Sequence, residues 1–402
     1  MPTADRRFAL GVAAAFLGSG LLSGPAAGAD AAETPSPPGK RIRLTLTNPL
    51  AEPREAETIV ISQRDLSAAA PGFLMKRVVV LDATDEEVLS QLIDLDGDAS
   101  PDELVFQVAL APNETRTLTL IEGQRHPAAR ADFRVYGRFV RERYDDFAWE
   151  NDRVAHRMYG PALETWEEEP LTSSGIDVWV KRVPRLVVND WYMVDDYHRD
   201  RGEGGDLYSV GTSRGCGGLG IWRDGQLHVS RNFSTSRVLA NGPLRLVFEL
   251  DYAPWGAGGN RVAETKRVTV DGGTSFDRFV STFTGTSEPL EAAIGIARHE
   301  GSAVEIGTDH RSMRTWEPIS GDNGNLGCAI VLPPGTTGRA EQTQANYLLV
   351  TQVPEGGTLT YFAGAGWDRG GHVQSREAWG REVSQLQRRL AAPVQVALTP
   401  LD

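Results

Sequence analysis

The chain is poor in the residues that mark several common chemistries. Cysteine occurs only at Cys216 and Cys328 in 402 residues. No Cys-x-x-Cys or His-x-x-x-His spacing is present, which removes the ordinary zinc arrangements. No P-loop occurs, and the glycines of Gly215–Gly220 are followed by no helical pattern, so a kinase and a dehydrogenase are disfavoured. A serine hydrolase is not expected either. There is no internal repeat and no long low-complexity tract. The longest apolar run, Phe8 to Leu22, is short for a bilayer span.

Positive charge is also in deficit. Lys and Arg total 41 against 54 Asp and Glu, for a formal net charge of −13. An acidic surface argues against nucleic acid and anionic membrane as partners. An anionic small ligand remains compatible if a local basic pocket overrides the global field.

What is present begins with a leader-like segment. Arg6-Arg7 precede the apolar run, and Ala27-Gly28-Ala29 supply small residues at a cleavage position. This pattern predicts a signal peptide over residues 1–29, and the Arg pair suits twin-arginine export. Residues 30–39, rich in Pro, read as a linker. The leader implies a periplasmic or secreted location, with no membrane contact after cleavage. Two cysteines in an exported chain suit one disulfide, worth roughly 4–5 kcal/mol for so long a loop. Two buried free thiols are the equal alternative.

Alternation dominates the rest. Ile42, Leu44 and Leu46 share one face of a strand, and Leu244, Leu246, Phe248 and Leu250 share one face of another. Strands are predicted over 58–62, 77–82, 103–110 and 116–121, forming an N-terminal β unit across residues 40–125. A second block, 131–402, carries at least ten more strand candidates. Trp379, Val383, Leu386 and Leu390 recur at helical spacing, with Ser375 as cap and Pro393 as stop. The fold class is all-β, with stacked antiparallel sheets and one C-terminal helix.

Three segments carry chemistry. Asp94, Asp96, Asp98 and Asp102 alternate around Gly97, as in calcium loops, although the closing bidentate Glu of a twelve-residue loop is missing. Calcium there is expected to be structural, and no organic cofactor is indicated. Between Trp149 and Tyr159 lie Glu150, Asp152, His156, Arg157 and Tyr159. On a strand, Arg157 and Tyr159 point one way and His156 the other. The apolar flank of His156 equally suits a core histidine. The third segment, Trp191–Gly218, mixes glycine, aromatic and ionisable residues, including Tyr197, His198, Glu203, Asp206 and Arg214. Lys181 adds a cation from a neighbouring strand.

The Trp149-Glu-Asn-Asp-Arg and Arg-Met-Tyr-Gly-Pro161 motifs, the Tyr197-His198 to Asp206 loop and Thr212-Ser-Arg-Gly-Cys-Gly-Gly218 together resemble an exported bacterial family catalogued as a domain of unknown function. The resemblance covers nearly all of the chain beyond the leader. It implies a galactose-mutarotase-like β-supersandwich, and a setting beside enzymes that degrade pectin, ulvan and other uronic-acid polysaccharides. The expected activity is β-elimination on uronic-acid-containing oligosaccharides, as lyase or dehydratase. That chemistry needs a cation at the sugar carboxylate, a base for the adjacent proton and an acid for the leaving oxygen. The expected cast is Arg157 and Arg214 with Lys181 at the carboxylate, Trp191 against the sugar, His198 or His156 as base, and Tyr159 or Tyr197 as acid. The alternatives are a glycoside hydrolase pairing Asp152 with Glu203 or Asp206, a mutarotase or epimerase, and a non-catalytic sugar-binding protein.

Overall fold

The computed structural model describes residues 40–167, 171, 174–194, 196–286 and 288–401. The expected leader and linker, residues 1–39, lie outside the described residues. The protein is all-β, as its alternation predicts, and every strand ladder among the described residues is antiparallel. Where apolar residues recur every second position, one face of each strand turns inward: Ile42, Leu44 and Leu46 are fully buried while their neighbours are exposed or half-buried.

Two small sheets form the N-terminal part. One orders Gln395–Leu401, Arg41–Thr47, Thr115–Glu122 and Val78–Leu81; the other orders Arg54–Ser62, Glu103–Leu110 and Ser90–Ile93. The last strand of the chain therefore pairs with the first, Arg41 opposite Leu401. Their shared core includes Leu44, Ile59, Leu66, Phe106 and Leu120, and receives Leu244 from the larger C-terminal part. Gln91 and Gln107 fasten the two parts together through Arg245 O and Gly272 O, each at 2.8 Å.

The larger part is a supersandwich. An eight-stranded sheet, running from Thr235–Asn241 through Arg245–Ala257, Asn260–Asp271, Phe276–Thr284, Thr358–Trp367, Asn325–Val331 and Ser312–Pro318 to Ala303–Ile306, is packed against two five-stranded sheets. The ring of Phe248 lies 4.2 Å from Phe147 of one, and Tyr361 donates a 2.9 Å hydrogen bond to Gly217 O of the other. The helix Arg376–Ala391 seats Trp379 and Val383 on the outer side, and Ser375 Oγ accepts from Ala378 N at 3.2 Å as the expected cap. Two short helices, Gln63–Ala69 and Val188–Tyr192, were not evident from periodicity because each is too brief to show one. Cys216 and Cys328 are free and buried, and Cys216 Sγ contacts Gly364 O at 3.2 Å.

The sheet that organises the chemistry orders Gly204–Asp206, Ile176–Lys181, Val154–Met158, Asp146–Asn151 and Val135–Val140. Its register places Asp177 beside Arg157, Arg157 beside Ala148, and Trp179 beside Asp206. Phe147, Trp149, His156, Met158 and Val178 face the sandwich core, and Asp146, Arg157, Asp177, Trp179 and Asp206 share the opposite face. The Val188–Tyr192 helix and the segment after it lie over that second face, where Trp191 and Tyr197 join Trp179 and Ala148.

Candidate functional site

Arg157 is the centre of this face. Its Nε donates to Asp177 Oδ2 at 2.9 Å, Nη2 lies 3.2 Å from Asp206 Oδ2, and Nη1 lies 3.6 Å from Asp146 Oδ2. Nη1 also donates to Tyr197 Oη at 3.4 Å, and the guanidinium stands 5.3 Å from the centre of the Tyr159 ring. Three carboxyls thus surround one cation in a desolvated setting. Burial, opposed by Arg157, raises Asp146 to about 7 and Asp206 to about 6; burial and then repulsion from Asp206 raise Asp177 to about 7. Arg157, with Arg143 acting from farther off on Asp146 and Asp206, only partly offsets the burial of three carboxyls, which favours their protonated forms.

His198 sits at the rim. It is half exposed, its Nδ1 is 3.4 Å from Asp206 Oδ2, and its ring lies 4.4 Å from that of Tyr197. Burial and the nearby Arg157 hold its pKa below the usual histidine value, so at neutral pH it is an uncharged base. Burial raises the Tyr197 phenol, keeping it a proton donor. Arg143, on the turn from Val135–Val140 to Asp146–Asn151, stands 5.2 Å over Tyr197 and 5.7 Å over Tyr144. Among the described residues it makes no ion pair. Tyr144 in turn stacks on Trp166 at 5.0 Å, both rings half-buried.

The local backbone is shaped to hold this arrangement. Tyr144 and Asp145 both adopt positive φ, 53° and 62°, which turns the chain sharply before Asp146. Gly160 closes against that turn: a Cβ there would lie 1.9 Å from Asp145 O, and Gly160 N donates to Asp146 Oδ1 at 2.9 Å. Gly204, at φ +110°, lets its strand approach Val180 so that Asp206 reaches Arg157.

The expected residues divide. Arg157, Tyr159, Tyr197 and His198 come together. Trp191 packs against Trp179 at 5.8 Å and is nearly buried, as a wall rather than an open platform. His156 lies on the core face, its Nδ1 3.1 Å from Asp177 O and its Nε2 3.8 Å from Asp277; burial lowers its pKa to about 4. It is the core histidine that its apolar flank allowed. Lys181 is fully buried and donates to Glu150 Oε2 at 2.7 Å and Asn151 O at 2.6 Å, so its charge is spent inside the sheet. Arg214 is buried apart from the cluster, donating to Ser174 Oγ at 3.1 Å with its stem against Gly295. Gly211-Thr-Ser213-Arg-Gly215 spells the letters of a nucleophile elbow, but a strand comes next instead of a helix, and Ser213 Oγ donates to Val210 O.

Of the acids considered for hydrolysis, Asp152 is held by Arg134 at 2.5 Å and Gly273 N at 2.7 Å, and Glu203 is paired with Arg185. Only Asp206 belongs to the cluster. Ligand atoms of Asp94, Asp96 and Asp102 lie within 4.8 Å of one another; Asp98 stands outside this group, with Oδ1 accepting from Ser100 N. Asp146, Asp177 and Arg143 were missed in the sequence. The one available signal was Asp177, a charge inside the otherwise apolar run Ile176–Val180.

Comparison with known proteins places these observations in a family. The profile described as "Domain of unknown function (DUF4861)" matches residues 46–396. A protein of Formosa agariphila named "Uncharacterized protein P7" is 32% identical over 372 residues, covering 88% of this chain and 93% of that one. Two solved chains from Enterococcus faecalis, an alpha-mannosidase and a protein of glycosyl hydrolase family 38, superpose with TM-scores of 0.47 and 0.48 at 10% identity. The alignments cover 89% of this chain but only 46% and 47% of those, so the chain spans about half their length.

Proposed function

The chain belongs to the DUF4861 family, and we propose that it is an exported enzyme acting on uronic-acid-containing oligosaccharides by β-elimination. The observation that carries this reading is the half-exposed His198, Nδ1 3.4 Å from Asp206 Oδ2, at the edge of a buried cluster of carboxyls around Arg157. Arg143, which stands over Tyr197 and Tyr144 and makes no ion pair among the described residues, receives the sugar carboxylate. The charge it supplies makes the neighbouring C5 proton more acidic. His198 takes that proton while Asp206 holds the ring and offsets the imidazolium that forms. The electrons of the C5–H bond form the C4–C5 double bond as the C4–O bond breaks, and Tyr197 protonates the departing oxygen. Arg157 positions Asp206 and Tyr197. Its donors face the protein's own carboxyls, so it acts through them. Tyr144 and Trp166 offer a stacking surface for the ring.

Hydrolysis is the second reading, favoured by the raised pKa of Asp206, which suits a general acid. The products separate the two: elimination creates an ultraviolet-absorbing unsaturated uronide, and hydrolysis does not. In the same proposal, Asp94, Asp96 and Asp102 hold a structural calcium ion and stiffen the turn before Glu103–Leu110.

A further inference from the structure

A cleft opens on the same sheet, at the other end of the Asp146–Asn151 strand from the Arg157 cluster. It has a volume of about 1150 Å³ and is lined by Arg130, Phe133, Arg134, Tyr136, Arg185 and Asn189, among others. Glu150 lies at its base, four residues along the strand from Asp146, roughly 13 Å at the rise of a β-strand. The Val188–Tyr192 helix covers the sheet face between the two, packing Val188 and Trp191 on Ala148 and Trp179. The cleft is therefore separate from the Arg157 cluster. Its volume exceeds that of an ordinary small-molecule site, roughly 300–1,000 Å³, and suits an extended ligand.

Most charge in the cleft is already matched. Glu150 takes Lys181 and the backbone N–H groups of Val187 and Val188. Arg134 is paired with Asp152, and Arg185 with Asp190 and Glu203. These pairs hold the walls in place. Arg130 is exposed and, among the described residues, has no ion pair. Phe133 is 39% exposed, an uncommon state for that side chain, and Tyr136, which lines the same cleft, is half-buried. Flat rings of this kind pack against the C–H faces of pyranoses, and one free guanidinium matches one anionic group.

From this juxtaposition we infer that the cleft is a non-catalytic binding site for an acidic oligosaccharide, with a sugar ring against Phe133 and Tyr136 and one carboxylate at Arg130. The site would retain a polymer strand while the Arg157 cluster acts on it. The inference rests on the substrate class proposed above and is indifferent to whether the Arg157 cluster eliminates or hydrolyses.

The test is calorimetric titration of His198→Ala protein, which removes turnover but leaves this cleft intact, with an oligogalacturonate and with a neutral malto-oligosaccharide of equal length. Two equivalents of oligogalacturonate are expected to bind. Adding Arg130→Ala should weaken one of the two sites about tenfold with the melting temperature unchanged, and Phe133→Ala should weaken the same site. The neutral sugar should be insensitive to Arg130→Ala. Binding of a single equivalent unaffected by either substitution overturns the inference, as does a complete lack of binding. Because no step requires chemistry, failure of the elimination reading leaves this result interpretable.

Discussion

His198 and Asp206 meet at the edge of a desolvated cluster, Nδ1 to Oδ2 at 3.4 Å, with the histidine half exposed and the aspartate buried. A buried carboxyl behind an accessible imidazole can orient the ring and stabilise its charged form without itself meeting substrate. The outer nitrogen of His198 is left to work on a proton.

Replacing His198 should therefore remove activity and spare the fold. His198→Ala is expected to lower kcat/KM by about 10²–10⁴-fold. The melting temperature should barely change, because the side chain is half in water. Steady-state kinetics alongside thermal denaturation check both parts, and a variant that keeps wild-type turnover would remove the base from the account.

Arg143 is predicted to recognise the carboxylate. Arg143→Ala should reduce kcat/KM on uronate substrates about tenfold or more, with Arg143→Lys recovering part of the loss. Methyl esters of the same substrates should show little difference between wild type and variant. Equal losses on acid and ester would mean that Arg143 only supports Tyr197.

Arg157 has the opposite profile. Its removal leaves three buried carboxyls without their cation, so Arg157→Met should destabilise the protein by about 3–5 kcal/mol at pH 8. Asp146, Asp177 and Asp206 have raised pKa values, so their protonated forms fit the fold best. The stability tied to their protons is complete below the unfolded value and is lost as pH rises through the folded ones. The variant's deficit should consequently shrink at pH 5, which urea unfolding at the two pH values would measure. A deficit independent of pH would contradict the cluster's electrostatics.

His156 supplies a separate pH effect. Burial lowers its pKa from 6.5 to about 4, so the folded state disfavours the imidazolium. The stability this contributes is present above pH 6.5 and is lost as pH falls toward 4, reaching about 3 kcal/mol in total. His156→Gln should flatten the acid limb of a plot of stability against pH. An unchanged limb would place the acid sensitivity elsewhere.

Much of this arrangement was legible in the sequence, for definable reasons. Clean alternation disclosed the strands around Ile42 and Phe248, and cap, period and stop disclosed the C-terminal helix. The density of ionisable and aromatic residues drew attention to Arg157, Tyr159, Tyr197 and His198, which do converge. Asp146 and Asp177 escaped notice for different reasons. Asp177 is a single acid inside an apolar run, which in a strand usually faces water, and Asp146 closes the charged run Arg141–Asp145, which reads as an ordinary solvated turn. Lys181 and Arg214 looked like free cations since nothing in one dimension reveals a cross-strand Glu150 or complete burial. The strand Cys216–Arg223 was obscured by its glycines, which carry no alternation to read.

Calcium is predicted to separate the four loop aspartates. Adding it to chelator-treated protein should raise the melting temperature; Asp94→Asn or Asp96→Asn should abolish the rise, whereas Asp98→Asn should keep it. A rise that survives Asp94→Asn would rule out this site.

The central claim is elimination at the His198–Asp206 edge. It is tested most directly by ultraviolet scans of the purified protein with pectin-, ulvan- and glucuronan-derived oligosaccharides, run in parallel with His198→Ala. The account predicts growing absorbance from an unsaturated uronide with at least one of them, absent in the variant. Release of reducing sugar without that absorbance, or silence across all three, would contradict it.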